Sequence, residues 1–288
     1  MMSGLREGQI RWRGQLLFDG RDLALTELEG WDDLPEIETG NVERAARHGA
    51  WPGAALAGQR LVTAVGVLTG AGSLTDVRTV LRPLRRALTL TDGARQHPLE
   101  ICVGGESLTA HAQVTARVIP GGPAFRSARP IVTVQWTCAD PRRYGNDRQN
   151  TVNPPRPSED GLEYPLEYPL DHGQPAHGGG ANLLNDGDSP THPVVEVAGP
   201  CSRPRLINRT TGTNLEFGLT LAGSDRLVVD CDQGTVLLNG VDGFHHIAPA
   251  SVPPEHWTLA PGTNPVHFRP QTSEPEAWAR FRWRDAYL

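Results

Sequence analysis

The run His177-Gly178-Gly179-Gly180 is the first place where residue types and spacing could do chemistry. In some esterases such a run forms an oxyanion loop, whose backbone N–H groups stabilise the negative oxygen of an acyl intermediate. That role needs a nucleophile elbow beside it, and no Gly-x-Ser-x-Gly occurs in the chain, so the run reads as a Gly-rich linker. Asp230, Asp232 and Gly234 open like a calcium loop. The fifth position is Gly234 itself, the sixth is Thr235 and the twelfth is Val241, where the loop needs Asp or Asn, Gly and a bidentate Glu. A β-turn between Val228-Val229-Asp230 and the next strand is the better reading. His245 and His246 are adjacent, so on a strand their rings would point to opposite faces and could not share one metal.

Cys102, Cys138, Cys201 and Cys231 are widely spaced with no Cys-x-x-Cys pair, which signals neither a zinc site nor a redox motif and predicts buried free thiols. There is no Walker loop, no Gly-x-Gly-x-x-Gly phosphate loop and no acid pair specific enough for glycoside hydrolysis. The sequence therefore predicts a protein that is not an enzyme, with no catalytic residue, no cofactor-binding residue, no metal ligand and no cofactor. Trp257, Trp278 and Trp283 could stack on sugars, which makes a carbohydrate-binding module of a cell-surface or phage adhesion protein the competing reading. Their alternative role is as core aromatics.

The elements that would position these residues are mostly strands. Of 288 residues, Gly contributes 32 and Pro 25, while aromatics are only 6%, so turns are frequent and long helices few. All 27 basic residues are Arg. Residues 1 to 140 carry 15 acids and 15 Arg, net zero, and the remainder 18 acids and 12 Arg, net −6. This balance lacks the broad basic footprint of a nucleic-acid binder, and the local group Arg82, Arg85 and Arg86 reads as a solvated helix face. No run of 18 apolar residues occurs, and the charged start lacks a signal peptide's apolar segment, so synthesis and residence in the cytoplasm, away from membranes, are expected.

Apolar runs around Leu16, Leu17, Leu23 and Leu25 flank Asp19-Gly20 and predict a hairpin. The Gly-rich stretch 48 to 58 reads as a mobile loop entering a strand from Leu61 to Leu68. Leu74, Val77, Val80, Leu81, Leu84 and Leu88 fall on one helical face, with Ser73 and Asp76 as a capping pair. Pro83 inside this pattern predicts a kink or break near Leu81. Strands follow in LEICVG, from Leu108 to Val118, and in IVTVQWTC. From Arg142 to Pro193 the composition turns to Pro, Gly, Asp and His, which predicts a linker or extended arm. Beyond it, short strands recur at 194 to 198, 205 to 209, 214 to 221, 226 to 231, 234 to 239, 256 to 259, 264 to 269 and 277 to 283, the pattern of an antiparallel sandwich.

Several stretches, in order over nearly the whole chain, resemble the siphophage distal tail protein family, the siphovirus-type tail component. They are Arg47 to Gly53 leading into RLVTAVGVLTG, the amphipathic helix, TCADPRRYG, NDGDSPTHPVVEVAG, LIN with TTGTNLEF, RLVVDCDQGTVLLNG, WTLAPGTNPVHF and the final FRWRDAYL. Residues 145 to 184 depart from the family by being longer and richer in Pro, as an inserted arm would be. The resemblance implies a mainly β chain with an α+β N-terminal domain. Residues 1–141 would be a tail-tube-like split β-barrel with one helix that closes into a ring, 142–192 a linker, and 193–288 a galectin-like β-sandwich. It further implies a homo-hexamer joining the tail tube protein to the tail-tip hub and receptor-binding proteins, with DNA passing through the lumen without specific binding. Such a protein would be assembled in the host cytoplasm and reside at the virion tail tip. A strand as long as Leu108 to Val118 could extend the sheet across subunits.

Overall fold

A computed structural model describes residues 4–69, 71–90, 93–155 and 178–288. Two compact units emerge from it, residues 1–145 with 287–288, and residues 146–286. The chain is mainly β, as expected.

In the first unit, β1 (Ile10–Trp12) and β2 (Gln15–Phe18) form a hairpin across Arg13-Gly14, both with positive φ. That is the backbone geometry whose twist matches paired strands. β3 (Leu23–Glu29) follows, then the short strands β4 (Ile37–Thr39), β5 (Val42–Glu43), β6 (Ala50–Trp51) and β7 (Ala55–Ala57), and the long β8 (Arg60–Leu68). Helix α1 (Leu74–Ala87) leads to β9 (His97–Val103) and β10 (Glu106–Val118). A single turn, α2 (Pro123–Arg126), precedes β11 (Ile131–Cys138) and β12 (Arg143–Val152).

The main strands of this unit pair in the path β2-β1-β9-β10-β11-β8-β3. β10 carries both halves of it. Glu106–Ala112 pair with β9 and Gln113–Val118 with β11, with a bulge between Val114 and Ala116 that bends the strand from one half-sheet into the other. Each half of β10 thus has a partner within the chain. β2 and β3, the two ends of the path, share no ladder among the described residues, so the path is an open one and not a closed barrel. Its core is built by alternation: Val62, Ala64 and Leu68 of β8, Leu99 and Ile101 of β9, Ala110 and Ala112 of β10, and Val132, Val134 and Trp136 of β11 are all buried. Gly66 is required in β8, because a Cβ there would lie 2.6 Å from the Phe18 ring and 2.7 Å from the Ala24 carbonyl.

Three features of this unit depart from what the sequence predicts. Asp19-Gly20 is a turn, tightened by three backbone N–H groups donating to Asp19 Oδ1. The strands it joins diverge, however, β2 pairing with β1 and β3 with the longer β8. Helix α1 does not break at Pro83: its 14 residues are continuous, with Ser73 accepting from the Asp76 N–H as the expected cap. Pro83 lies on the exposed face, so water can satisfy the carbonyl that loses its donor, while Val77, Leu81 and Leu84 are buried and hold the turns together. Finally, residues 48 to 58 are not a plain loop; they are the returning side of a hairpin, described below.

The second unit contains β13 (Gly180–Asn185), β14 (Val194–Ala198), β15 (Cys201–Ser202), β16 (Arg205–Asn208), β17 (Asn214–Glu216) and β18 (Thr220–Leu221). β19 (Arg226–Asp230), β20 (Thr235–Leu238), β21 (Val241–Asp242), β22 (Gly262–Phe268), β23 (Thr272–Ser273) and β24 (Trp278–Tyr287) complete it. One sheet runs β24-β14-β19-β20-β21 and another β13-β22-β16-β17, all antiparallel. Val195, Val197, Leu227, Val229 and Phe281 of the first and Leu183, Leu206, Leu215, Val266 and Phe268 of the second belong to one buried cluster. Trp257 stacks on Phe281 within it, ring centroids 5.8 Å apart.

Two further readings change. Both ends of the stretch read as linker, 142–192, are strand: β12 pairs at Tyr144 with Thr109, and β13 pairs along its whole length with β22. Ladder hydrogen bonds supply there what the polar composition does not. Most of the rest of that stretch, including both LEYP repeats, lies outside the described residues. Residues 256 to 259 run from the end of a 3₁₀ turn (Pro254–His256) to a single bridge from Leu259 to Thr191 and are not a strand; Pro253 and Pro254 start the turn by fixing φ and removing ladder donors.

Candidate functional site

Where the sequence suggested chemistry, the geometry is of another kind. His177 lies outside the described residues, but Gly178 and Gly179 turn their carbonyls, not their N–H groups, toward a cation: Arg269 Nη1 donates to Gly179 O at 2.8 Å and Nη2 donates to Gly178 O. An oxyanion hole has the opposite polarity. Asp230 Oδ1 accepts from the N–H groups of Asp232 and Gln233, which makes the run a β-turn joining β19 to β20. His245 and His246 sit on a 3₁₀ turn with ring centroids 4.0 Å apart, so the strand geometry assumed for them does not hold. All four cysteines are free and buried. Burial pushes the Cys138 thiol up to about 12 and that of Cys201 up to about 11, and it raises Cys231 as well, so these thiols are poor nucleophiles.

Of the three tryptophans that could stack on sugars, Trp257 and Trp283 belong to the buried core, and Trp283 Nε1 donates to Leu184 O. Trp278 is half-buried, with Arg280 4.5 Å and Arg226 5.6 Å from its ring, and both arginines lie near Glu196. The structure therefore does not bring the three together on one open face.

The feature that stands out is a projecting hairpin over residues 37 to 57. β4 pairs with β7 and β5 with β6, and neither ladder has a third strand among the described residues. Gly53 allows the two ladders to meet: a Cβ there would lie 2.0 Å from the Gly40 carbonyl oxygen, while its N–H donates to Asn41 Oδ1. Opposite residues share a face in an antiparallel pair, so Val42 sits with Trp51 and Glu38 with Leu56. Leu34, Val42, Trp51 and Leu56 are all more than 60% exposed, and Ile37 is 41% exposed. Arg44 lies over the Trp51 ring at 4.4 Å.

The base of this hairpin is held by a fully buried cation. Arg60 Nη1 donates to the carbonyls of Gly30, Trp31 and Asp33 at 2.6–2.9 Å, and Nε donates to Pro141 O at 2.7 Å. Burial, and secondarily the charge of Arg143, press the Arg60 pKa below its ordinary value, but a guanidinium does not deprotonate in a protein. Arg143 in turn pairs with Asp32 and lies 5.8 Å from the Trp31 ring, itself buried. Sequence reasoning missed this anchor. Arg60 carries no local signal, since it opens an otherwise apolar strand and its four acceptors are 27 to 81 residues away.

Residues 186–287 match the family model described as siphovirus-type tail component, C-terminal domain. The fold as a whole is similar to the crystal structure of SPP1 Dit (gp 19.1), described as a paradigm of hub adsorption apparatus in Gram-positive infecting phages. The TM-score is 0.68 at 17% identity, covering 97% of this chain and 99% of that one. The phage p2 baseplate in its activated conformation with Sr is matched at a TM-score of 0.46 and 10% identity, over 91% of this chain and 90% of that one. No curated protein matches the chain. The resemblance read from the sequence is thus borne out by the family model over 186–287, and the likeness over the rest is one of fold.

Proposed function

We propose that this protein is a structural component of a siphophage tail tip, six copies of which close into a ring joining the tail tube to the tail-tip hub and receptor-binding proteins. The observation that carries the reading is the likeness in fold to SPP1 Dit along nearly the full length of both chains, together with the tail-component match over 186–287. Residues 1–141 form the ring, 193–288 together with β13 sit outside it as a docking sandwich, and the residues between β12 and β13 connect them. A contact between two different surface patches, repeated head to tail, generates a ring when its rotation closes. The work is geometric. The ring sets symmetry and spacing, no residue acts as catalyst or metal ligand, and DNA crosses a lumen that does not grip it. The zero net charge of residues 1 to 140 supports this, since a strongly basic lumen would retain phosphate. The protein is assembled in the host cytoplasm and resides at the virion tail tip.

Negative-stain images and light scattering of the purified full chain test the reading. Six-fold rings are the expected result. A chain that stays monomeric at every concentration and at low salt refutes it.

A further inference from the structure

We infer that the projecting hairpin of one copy docks on the arginine face of helix α1 of the next copy, and that this contact is the head-to-tail joint of the ring; the inference rests on the ring reading above. An isolated two-stranded hairpin is marginal in water, and this one exposes Leu34, Ile37, Val42, Trp51 and Leu56 along its length and base. Large apolar side chains left exposed together on one such element mark a binding site. The hairpin is also held ready, because Arg60 and Arg143 fasten its base to the core, so little ordering remains to be done on binding.

Charge identifies the occupant. With Asp32 already paired to Arg143, residues 33 to 57, the hairpin and its base, carry four carboxylates (Asp33, Glu36, Glu38, Glu43) and two arginines (Arg44, Arg47), 2 − 4 = −2, with Asp33 and Glu36 at the base supplying the excess. Helix α1 carries four arginines (Arg78, Arg82, Arg85, Arg86) and one carboxylate (Asp76), 4 − 1 = +3. All four arginines are exposed on the side of the helix away from Val77, Leu81 and Leu84. Leu74, 45% exposed, lies one turn before Arg78. The hairpin offers a matching mixture, since Glu38 and Leu56 are opposite each other and share a face. Among the described residues, none of Glu36, Glu38, Glu43, Arg78, Arg82, Arg85 and Arg86 has an ion-pair partner within the chain. A symmetric pairing of hairpin with hairpin would set like charges together, whereas hairpin on helix joins two different patches and leaves both free on the outer copies to continue the chain of contacts until it closes.

The test is a charge exchange in the full-length protein, read by native mass spectrometry and negative stain. A hairpin variant carries Glu36→Arg and Glu38→Arg; a helix variant carries Arg78→Glu and Arg82→Glu. Each alone should require about 100-fold or more higher concentration than the natural chain to assemble, because like charges then face each other across the joint. An equimolar mixture should assemble again, with the two variants alternating around the ring, which an even number of subunits permits. Natural rings should also come apart as salt is raised, since exposed pairs are screened within about 10 Å at 0.1 M. Equal thermal unfolding of the variants and the natural chain, with restored assembly on mixing, excludes misfolding as the cause. If either variant forms rings as readily as the natural chain, or if both are folded and their mixture does not assemble, the joint lies elsewhere and only this inference falls. If the natural chain itself never assembles, the ring reading falls and takes the joint with it.

Discussion

Replacing Arg60 with Met tests whether one buried cation holds the base of the hairpin. Nε and Nη1 together bring three N–H protons to four carbonyl oxygens, those of Gly30, Trp31, Asp33 and Pro141. Hydrogen bonds from a charged donor contribute roughly 1.5–3 kcal/mol each, or about 4.5–9 kcal/mol for three. Against this stands the desolvation of the guanidinium, of the order of several kcal/mol, which the Met side chain does not incur. The difference leaves a net loss of about 3 kcal/mol, consistent with the roughly 3–5 kcal/mol seen when one partner of a buried charged network is removed. For a unit of this size that lowers the unfolding temperature by roughly 6–12 °C. Because the chain has two units, the assay pairs calorimetry with hydrogen exchange. Exchange should quicken in residues 27 to 61 and stay unchanged in 190 to 286. Arg60→Lys should lose nearly as much, since an ammonium cannot present the same fork of donors to acceptors on two sides. A shift below about 3 °C, with unchanged protection of residues 30 to 33, would refute the anchor.

Other consequences are more local. Gly66→Ala should destabilise the first unit by about 1–3 kcal/mol, because its Cβ meets the Phe18 ring, and adding Phe18→Leu should recover part of that loss in a double-mutant cycle read by urea unfolding. At pH 8 a thiol reagent should label less than one cysteine per native chain and all 4 after unfolding; rapid native labelling of Cys138 or Cys231 would contradict their burial. Burial raises the Asp19 carboxyl pKa, but the N–H donors of Leu23, Arg21 and Asp22 outweigh it and leave the group below its ordinary 3.8. A depressed carboxyl adds stability above its unfolded value and loses it as pH falls through the folded one. The natural chain should therefore exceed Asp19→Asn in stability at pH 6 and approach it below about pH 3, and a gap that stays constant with pH would be the wrong outcome.

Much of the architecture was legible because its causes are local. The alternation of apolar residues in 97 to 118, 131 to 138, 194 to 198 and 226 to 238, and the helical spacing from Val77 to Leu88 with Ser73 before it, record which face each segment buries. The β-turn at Asp230 was legible for the same reason, since its hydrogen bonds span two and three residues. The projecting hairpin was not: its four strands are two or three residues long, too short for a period, and their exposed apolar residues point to no core of their own. Composition alone likewise hid β12 and β13 inside a Pro- and Gly-rich stretch, because a ladder on a neighbouring strand can order residues that could not order themselves.

The longer strands and the helix, the lack of a complete catalytic constellation and the family resemblance were determined by the sequence by itself, since each depends on residue types near one another in the chain. Which strand pairs with which was decided only by the tertiary structure. So was the conversion of Asp19-Gly20 from a hairpin turn to a divergence, the survival of helix α1 through Pro83, and the fastening of residues 30 to 33 by Arg60. In each of these the deciding partner lies far along the chain, and hydrophobic burial or a buried donor is set by where the chain has folded and not by its neighbours in sequence.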